Sequence, residues 1–505
     1  MAMRRLISCA AAAVCACAHA NKVPDGAPVF LELESAHYVL FTDLREADAR
    51  ETIGRLENVR GALIQGSWHG DLSPSEKLRV VELASSTELH EFASSAMTAF
   101  YQPIDLFGEP MLVMSTDQGP AENVVLKHEL AHALHGSFLP RSPRWLFEGL
   151  ACYLETLRYD AAADQYVVGE PNADRLHFLQ LHPETDFRRA LSVSTREAVL
   201  LGGQEGHAFQ SAAWLIVFYL ANERGTGLDG YIHRLALGQE AQAAFTAASG
   251  GLSLDALAGE VERYQTRMRH DGESATPRLQ YRIREVRLPP WNGEVHARRV
   301  PAADVEGLRS ELFFLSPGIP RERAHLGKAR DAAEAALRLD PTQPLALAVE
   351  MALPEGSGAP ASLERIRAAA NQRRDDYRLH MLLALAVGPG RPDERRAALA
   401  RAAELAPQNA IVLSVLASHH VTHGRALQAI PLAQRAAELA PGRAAVLDTL
   451  ATALARSSRC AEATRVEERA VELAAEHASA ELRKQLLARL DAMRAGCVAV
   501  PLDEE

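Results

Sequence analysis

The 505-residue sequence predicts two structural parts, an α+β domain followed by an all-α solenoid of helical repeats. Between residues 28 and 270, short apolar runs of strand length alternate with segments of helical periodicity. From about residue 321 to residue 495, a two-helix pattern rich in alanine recurs along the chain. A chain of this length also exceeds what one hydrophobic core supports, so at least two domains are expected.

The first 20 residues have the features of an export signal. Arg4 and Arg5 precede a short apolar run, and the Ala-His-Ala sequence at 18–20 fits a small-x-small cleavage site. The Val-Cys-Ala-Cys sequence at 14–17 also looks like a bacterial lipoprotein signal, which would place a lipid on Cys17. We expect a protein of the periplasm or cell envelope, or a secreted one, and either a soluble form or one lipid-anchored at Cys17. A buried N-terminal helix is the alternative.

Residues 28–116 predict a mixed sheet that precedes the most specific motif of the chain. Strand-like runs occupy Val29–Leu33, His37–Thr42, Leu78–Ala84 and Met111–Met114, helical periodicity covers Ala47–Ile64, and a short helix begins near Ser86. Beyond the motif, the pattern is helical to about residue 270, and the apolar segment Ala212–Ala221 predicts a buried helix behind the site.

The segment Val124–Gly136 contains His-Glu-x-x-His, with His128, Glu129 and His132 at its fixed positions. On a helix, residues four apart share a face, so the two imidazoles can bind a single metal ion. Glu129 lies between them, where its carboxylate can take a proton from a water molecule. The segment therefore predicts a metal site borne by a helix.

Glu148 follows His132 after fifteen intervening residues, within the phrase Trp-Leu-Phe-Glu-Gly-Leu-Ala. Two histidines and one carboxylate leave the fourth position of a tetrahedral zinc ion open, as catalytic sites do. The two phrases together resemble the gluzincin, or peptidase MA-like, zinc metallopeptidases, and most closely their exported bacterial branch with a WLxEGLA phrase. The resemblance covers about residues 30–270 and implies a zincin-like metallopeptidase domain. It implies that Zn²⁺ is held by His128, His132 and Glu148, with Glu129 as the general base.

The resemblance also implies how the substrate and the ligands are held. An extended peptide would add as a strand to the sheet edge at Met111–Met114, although a plain buried strand is an equally weighted alternative. Thermolysin-like gluzincins carry an aspartate four residues after the glutamate to orient a histidine ligand, but this chain has Cys152 there. Either Glu155 or an upstream carboxylate must then hold the ligand imidazoles, and Cys152 is most simply a small core residue.

Three further polar residues are weaker candidates. His135 is either an additional ligand or, as we favour, a partly exposed residue at the helix end. His207 and Tyr219 are candidate donors to the oxyanion that develops during peptide hydrolysis. No motif fixes either residue, so an ordinary core or capping role is favoured for both.

Residues 271–320 predict a connector, because polar stretches and the Pro289-Pro290 pair interrupt helical periodicity. Repeats follow, marked by Leu-Asp-Pro or Leu-Ala-Pro ending at Pro341, Pro407 and Pro441. The last two are 34 residues apart, a period that resembles tetratricopeptide repeats, so residues 321–495 are expected to form one solenoid. That resemblance implies a protein partner on the repeats. The equally weighted alternative is that the repeats only brace the catalytic domain or the cell-envelope assembly in which it sits.

Composition excludes other classes of function. The net charge of −11 offers no basic patch for nucleic acid. No segment after the N-terminus reaches eighteen uninterrupted apolar residues, so no transmembrane span is expected. Outside the signal only Cys152, Cys460 and Cys497 remain, an odd number that does not form a disulfide framework. Whether Cys460 and Cys497 pair is left open.

Taken with the resemblance, these patterns predict an exported zinc metallopeptidase that cleaves peptides or proteins and carries a repeat scaffold. One alternative is a catalytically silent adaptor that keeps the peptidase fold for binding. The presence of all four motif residues argues against this adaptor. The other alternative is a zinc hydrolase of a non-peptide amide, such as a cell-wall linkage.

Overall fold

The computed structural model describes residues 30–497, apart from 69–76, 96, 98, 103–104, 117–123, 140–141, 195–196, 198–200, 202, 271–280, 317–322, 354–359 and 478–479. The predicted signal at 1–20, with Cys17, lies outside the described residues. Among the helices of the described ranges, none combines the length and apolar character needed to cross a membrane.

Nine strands in the described residues form two sheets. They are β1 (Leu31–Glu34), β2 (Tyr38–Thr42), β3 (Leu78–Leu83), β4 (Ala99–Gln102), β5 (Met111–Ser115), β6 (Arg158–Asp160), β7 (Gln165–Val168), β8 (Arg284–Val286) and β9 (His296–Arg299). The main sheet has the order β4-β5-β3-β2-β1-β9, and the small sheet has the order β6-β7-β8. In the main sheet β2, β3 and β5 are parallel neighbours, whereas β4, β1 and β9 run antiparallel to theirs.

The position of Met111–Met114 at the sheet edge is wrong. β5 pairs with β3 on one side and with β4 on the other, so β4 is the outer strand. β4 has only four residues, and two of them are partly exposed, so it lacks the apolar run that indicates a buried strand. Among the described strands, β4 and β9 are the two edges of the main sheet, and β4 is the edge strand beside β5.

Ten helices accompany the sheets in the described residues before 271. They are α1 (Glu46–Trp68), α2 (Ser86–Phe92), α3 (Val124–Phe138), α4 (Arg144–Leu154), α5 (Ala173–Leu181), α6 (Phe187–Ser192), α7 (Gly203–Glu223), α8 (Gly225–Ala236), α9 (Ala241–Ala248) and α10 (Leu254–His270). Helices α1, α3, α4 and α7 share one hydrophobic core with the side chains of Leu40, Val80 and Leu112 on one face of the main sheet. Within α7, the expected apolar segment is buried from Ser211 to Leu220.

Eleven helices follow in the described residues after 300. They are α11 (Ala302–Leu315), α12 (Arg323–Leu339), α13 (Pro344–Ala352), α14 (Pro360–Gln372), α15 (Tyr377–Val387), α16 (Pro392–Leu405), α17 (Ala410–Thr422), α18 (Ala426–Leu439), α19 (Ala444–Arg456), α20 (Cys460–His477) and α21 (Ala480–Arg494). Successive helices pack against one another, except for α13 and α14, and α17 contacts both α18 and α19. Helices α13, α15, α17 and α19 begin 33 or 34 residues apart. The predicted all-α solenoid of two-helix repeats is confirmed.

The segment 271–320 is more than the predicted connector. β8 pairs with β7, β9 pairs along the whole of β1, and α11 packs as the first helix of the solenoid. These strands have three and four residues, most of them charged, so their pattern carries no strand signal. The solenoid consequently begins at Ala302 rather than at 321.

The solenoid covers the second face of the main sheet. Val81 and Val113, which point away from the first core, pack in a second core with Leu312 of α11 and Leu345 of α13. This explains why every residue of β3 and β5 is buried. The two predicted parts are therefore joined through a shared sheet.

Candidate metal centre

Helices α3 and α4 bring His128, His132 and Glu148 together. The Nε2 atoms of the two histidines are 3.0 Å apart, and the Glu148 carboxylate oxygens lie 3.6 Å from His128 Nε2 and 3.5 Å from His132 Nε2. Two ligands that each lie about 2.0–2.1 Å from one tetrahedral ion are themselves about 3.3 Å apart. The spacing of these three donors matches that requirement.

The close approach of α4 to α7 depends on Gly149, the residue after Glu148. A Cβ at this position would lie 2.4 Å from the carbonyl oxygen of Ala213 and 2.6 Å from a methyl carbon of Val217. Only glycine permits this distance between the helices. The glycine of the Glu-Gly-Leu-Ala phrase thereby sets where the metal-site carboxylate lies.

The charge balance of the histidine pair also favours a cation. His128 Nδ1 donates a hydrogen bond of 2.6 Å to Glu155, which leaves its Nε2 facing the Nε2 of His132. Two imidazole nitrogens this close, beside a carboxylate, need a proton or a metal ion between them. Zn²⁺ fits this donor set, because neutral imidazole nitrogen and carboxylate oxygen are among its ordinary ligands.

Burial and neighbouring charges shift the pKa values of the three donors in different directions. Burial alone would lower the pKa of His128, but hydrogen bonds to Cys152, Glu148 and Glu155 raise it well above its usual value. Burial lowers the pKa of His132 well below the usual value. Burial on its own would raise the pKa of Glu148. The neighbouring side chains of His132, His128 and Arg144 outweigh burial and lower that pKa. The lowered pKa of Glu148 favours an ionised carboxylate beside the two imidazoles, which suits a site for a cation.

Glu155 is the carboxylate that supports His128. One carboxylate oxygen accepts from His128, and the other accepts from Asn172 Nδ2 at 2.5 Å. Arg175 lies 3.6 Å away. His128, Cys152 and Glu155 form a second donor set in the described residues, but the hydrogen bond to Glu155 already uses His128 Nδ1. Cys152 is fully buried and is a free thiol, consistent with the core role expected for it.

Glu129 lies between the donor set and the open edge of the sheet. Its Oε2 accepts a hydrogen bond of 3.2 Å from the backbone N–H of Tyr101 in β4. That N–H points away from β5, so the carboxylate lies on the side of β4 opposite β5. Burial raises the pKa of Glu129 to about 7, with the nearby Glu148 carboxylate adding to the increase.

Two residues that sequence reasoning missed contact Glu148. Arg144 Nη2 lies 2.6 Å from Glu148 Oε1, and Gln210 of α7 donates to Glu148 Oε2 at 3.3 Å. The Arg144 side chain is 22% exposed and its guanidinium lies over the ring of Phe147. The four-residue spacing between Arg144 and Glu148 on one helix was the sequence feature that could have predicted their ion pair.

The weaker candidates lie elsewhere. His135 is fully buried against Phe147, so its expected partial exposure is wrong, and it is not among the donors of the described residues. His207 stacks on Phe178 and faces Asp174. Tyr219 lies about three turns beyond His207 along α7, and its hydroxyl donates to Glu260 at 2.8 Å. Neither His207 nor Tyr219 belongs to the metal-donor set of His128, His132 and Glu148.

Comparisons with known proteins give no family assignment. No protein-family model and no curated protein matches the sequence. Among solved structures, the chain is similar to the MamA protein, with 15% identity over 35% of this chain and 95% of that one and a TM-score of 0.27. It is also similar to a thermophilic TPR protein of Thermus thermophilus, with 17% identity, coverage of 38% and 97%, and a TM-score of 0.28.

Proposed function

We propose that this chain is an exported zinc metallopeptidase whose repeats form a scaffold for its catalytic domain. The observation that carries the proposal is the juxtaposition of three elements. A donor set spaced for zinc lies beside Glu129, and Glu129 in turn contacts the outward edge of β4. A metal site for structural purposes alone would need neither an adjacent buried carboxylate nor an open strand edge.

His128, His132 and Glu148 would hold the ion, and Glu155 orients His128 for that role. When bound, zinc lowers the pKa of a water molecule and polarises a carbonyl group. Glu129 takes the proton of the attacking water molecule and later delivers it to the leaving amine.

The substrate would bind as an added strand along β4, which takes the place predicted for Met111–Met114. An edge strand can pair with an extended peptide through its outward backbone groups, and here the peptide would replace the contact between the Tyr101 N–H and Glu129. The N–H of Tyr101 already lies on the side of Glu129, so a peptide on this edge passes the candidate metal centre. An extended peptide or an unfolded protein segment is therefore the substrate class that this edge favours.

Arg144 is the donor that we assign to the developing oxyanion, in place of His207 and Tyr219. Its guanidinium lies next to Glu148 and remains partly exposed. Guanidinium groups beside a metal stabilise negative charge as it develops on a carbonyl oxygen.

Localisation outside the cytoplasm is part of the proposal. Cys460 and Cys497 have Cα atoms 5.9 Å apart, a distance that a disulfide bridges, and such bonds persist in oxidising compartments.

Purified protein loaded with zinc, incubated with a mixed peptide library, tests the proposal. We expect internal cleavage by the wild type and a loss of about 10²–10⁴-fold or more in Glu129→Gln. Glu205→Gln is the matched control, since Glu205 is an exposed glutamate on α7. Peptide capture without cleavage by the wild type would favour the silent adaptor. Cleavage products from envelope material, with none from peptides, would favour the non-peptide amide hydrolase.

A further inference from the structure

The turn between β4 and β5 lies on the repeats. We call residues Asp105–Pro110 the docking loop. Arg443, which precedes α19, donates to the carbonyl oxygen of Gly108 at 2.6 Å. Asn409, which caps α17, donates to the carbonyl oxygen of Phe107 at 3.4 Å. Three consecutive repeats take part, because Tyr377 at the start of α15 also contacts this loop.

The contact with Tyr377 involves both ends of its side chain. Its hydroxyl donates to Glu109 at 2.5 Å, and its ring meets the ring of Phe107 edge-on, with centroids 6.3 Å apart. Asn409 and Arg443 are the N-cap residues of α17 and α19, and Tyr377 is the first residue of α15, directly after its N-cap Asp376. The N-terminal ends of helices in three successive repeats therefore each supply one donor to the loop.

The base of the docking loop is fixed by buried charges. Arg79 of β3 pairs with Asp105 at 3.1 Å and with Glu311 of α11 at 2.6 Å. Glu311 also accepts from the backbone N–H of Leu106 at 3.4 Å. Arg79, Asp105 and Glu311 are nearly inaccessible to solvent, so these ion pairs are screened little by salt.

The tip of the docking loop packs closely against the solenoid. Gly108 has φ of +85°, and a Cβ there would lie 2.3 Å from a side-chain carbon of Ile411 in α17. A larger residue would be strained in this left-handed backbone conformation and would clash with helix α17. The loop is thus held at its base, along its length and at its tip.

The docking loop is the turn that joins β4 to β5, so it holds the C-terminal end of β4. β4 has four residues and one strand partner, and helix α3 also contacts it. Its Tyr101 N–H contacts Glu129, so a shift of β4 changes both the carboxylate and the edge available to a peptide. The start of the docking loop is only three residues beyond Gln102.

We infer that Tyr377, Asn409 and Arg443 are positioning residues, through which the repeats hold the substrate-binding edge β4 against the metal centre. This inference rests on the proposed function and assigns the repeats a part in the reaction itself. At these helix ends the inference favours bracing over the binding of a separate partner, because the docking loop of the same chain occupies them. A partner peptide could bind there only by displacing the docking loop.

Full-length Arg443→Ala and Gly108→Val test the inference, with Arg435→Ala as a matched control on α18. Arg435 is an exposed repeat arginine that pairs with Glu438 and Gln408. Hydrogen exchange of residues 99–115 is followed by mass spectrometry, together with zinc content and the kinetics of one peptide. We expect exchange in β4 to become about tenfold faster in Arg443→Ala and in Gly108→Val, as loss of a hydrogen bond to a charged donor implies. Arg443→Lys should restore most of the protection.

Activity should fall in the same two variants through a KM that rises about tenfold, with the zinc content of the wild type retained. Unchanged exchange in both variants would overturn the anchoring of β4. Faster exchange with unaltered KM would overturn the positioning role while leaving the peptidase proposal intact. If the wild type cleaves no peptide, the proposed function fails, and the exchange data still decide whether the repeats hold β4.

Discussion

Replacing Gly149 with alanine tests whether the metal-site carboxylate is set by the contact between α4 and α7. The added methyl group would lie 2.4 Å from the Ala213 carbonyl oxygen, a backbone atom that cannot rotate away. Overpacking of this kind costs about 1–3 kcal/mol. Alanine is also the better helix former and should offset about 1 kcal/mol of that cost. Because the obstacle is a backbone atom, we expect a cost at the upper end of that range. The free energy of unfolding should therefore fall by about 2 kcal/mol after the offset.

A second glycine provides the opposite expectation. Gly54 lies inside α1, and a Cβ there would meet no atom within 4 Å. Gly54→Ala should therefore stabilise the protein by about 0.5–1 kcal/mol, as helix propensity predicts. The two substitutions are chemically identical, so their difference in sign isolates the packing effect.

Urea unfolding followed by tryptophan fluorescence measures both variants. The four tryptophans all precede residue 300, and Trp145 and Trp214 are buried in α4 and α7 themselves. The signal consequently reports on the part of the chain before residue 300 rather than on the repeats. The midpoint should fall for Gly149→Ala and rise for Gly54→Ala. A Gly149→Ala protein as stable as Gly54→Ala would refute the close helix approach.

Further predictions concern the surroundings of the site and the solenoid. Glu155→Gln should weaken zinc binding about 10–100-fold in competition with a chelator, because His128 loses its support; unaltered affinity would contradict this. Arg144→Gln should retain zinc and lower kcat about 10²–10³-fold, and an unchanged kcat would exclude the assigned oxyanion role. Burial and the charge of Asp448 raise the pKa of Glu467 to about 9 from 4.5, so the folded protein holds a proton that the unfolded chain releases. Stability should fall as pH rises between those values, and Glu467→Gln should remove that slope in Tm measured against pH.

Sequence reasoning predicted the parts of the site that follow from local geometry. Helical spacing alone places His128 and His132 on one face, and the WLFEGLA phrase identifies Glu148. The contact of Glu155 with His128 follows from the same periodicity. Glu155 is seven residues, or two helical turns, beyond Glu148, so both side chains lie on the same side. These inferences need no knowledge of how distant segments pack.

The remaining features depend on contacts between distant parts of the chain. β4 has four residues with no alternating pattern, and its identity as the edge arises only when β5 pairs on both sides. β9 reaches β1 across more than 260 residues, and the docking loop meets residues about 270–335 positions further along. Such pairings leave no periodic trace in either segment. The connector and the edge strand therefore required correction, as did the partial exposure expected of His135.

Elemental analysis tests most directly whether His128, His132 and Glu148 bind one zinc ion. Wild type and Glu129→Gln, both dialysed against metal-free buffer, should each retain about one zinc per chain, because Glu129 is not a ligand. Glu148→Ala should retain none under the same conditions, since two imidazoles alone leave the ion underliganded. Zinc at full stoichiometry in Glu148→Ala, or none in the folded wild type after incubation with zinc, would contradict this assignment of the ligands.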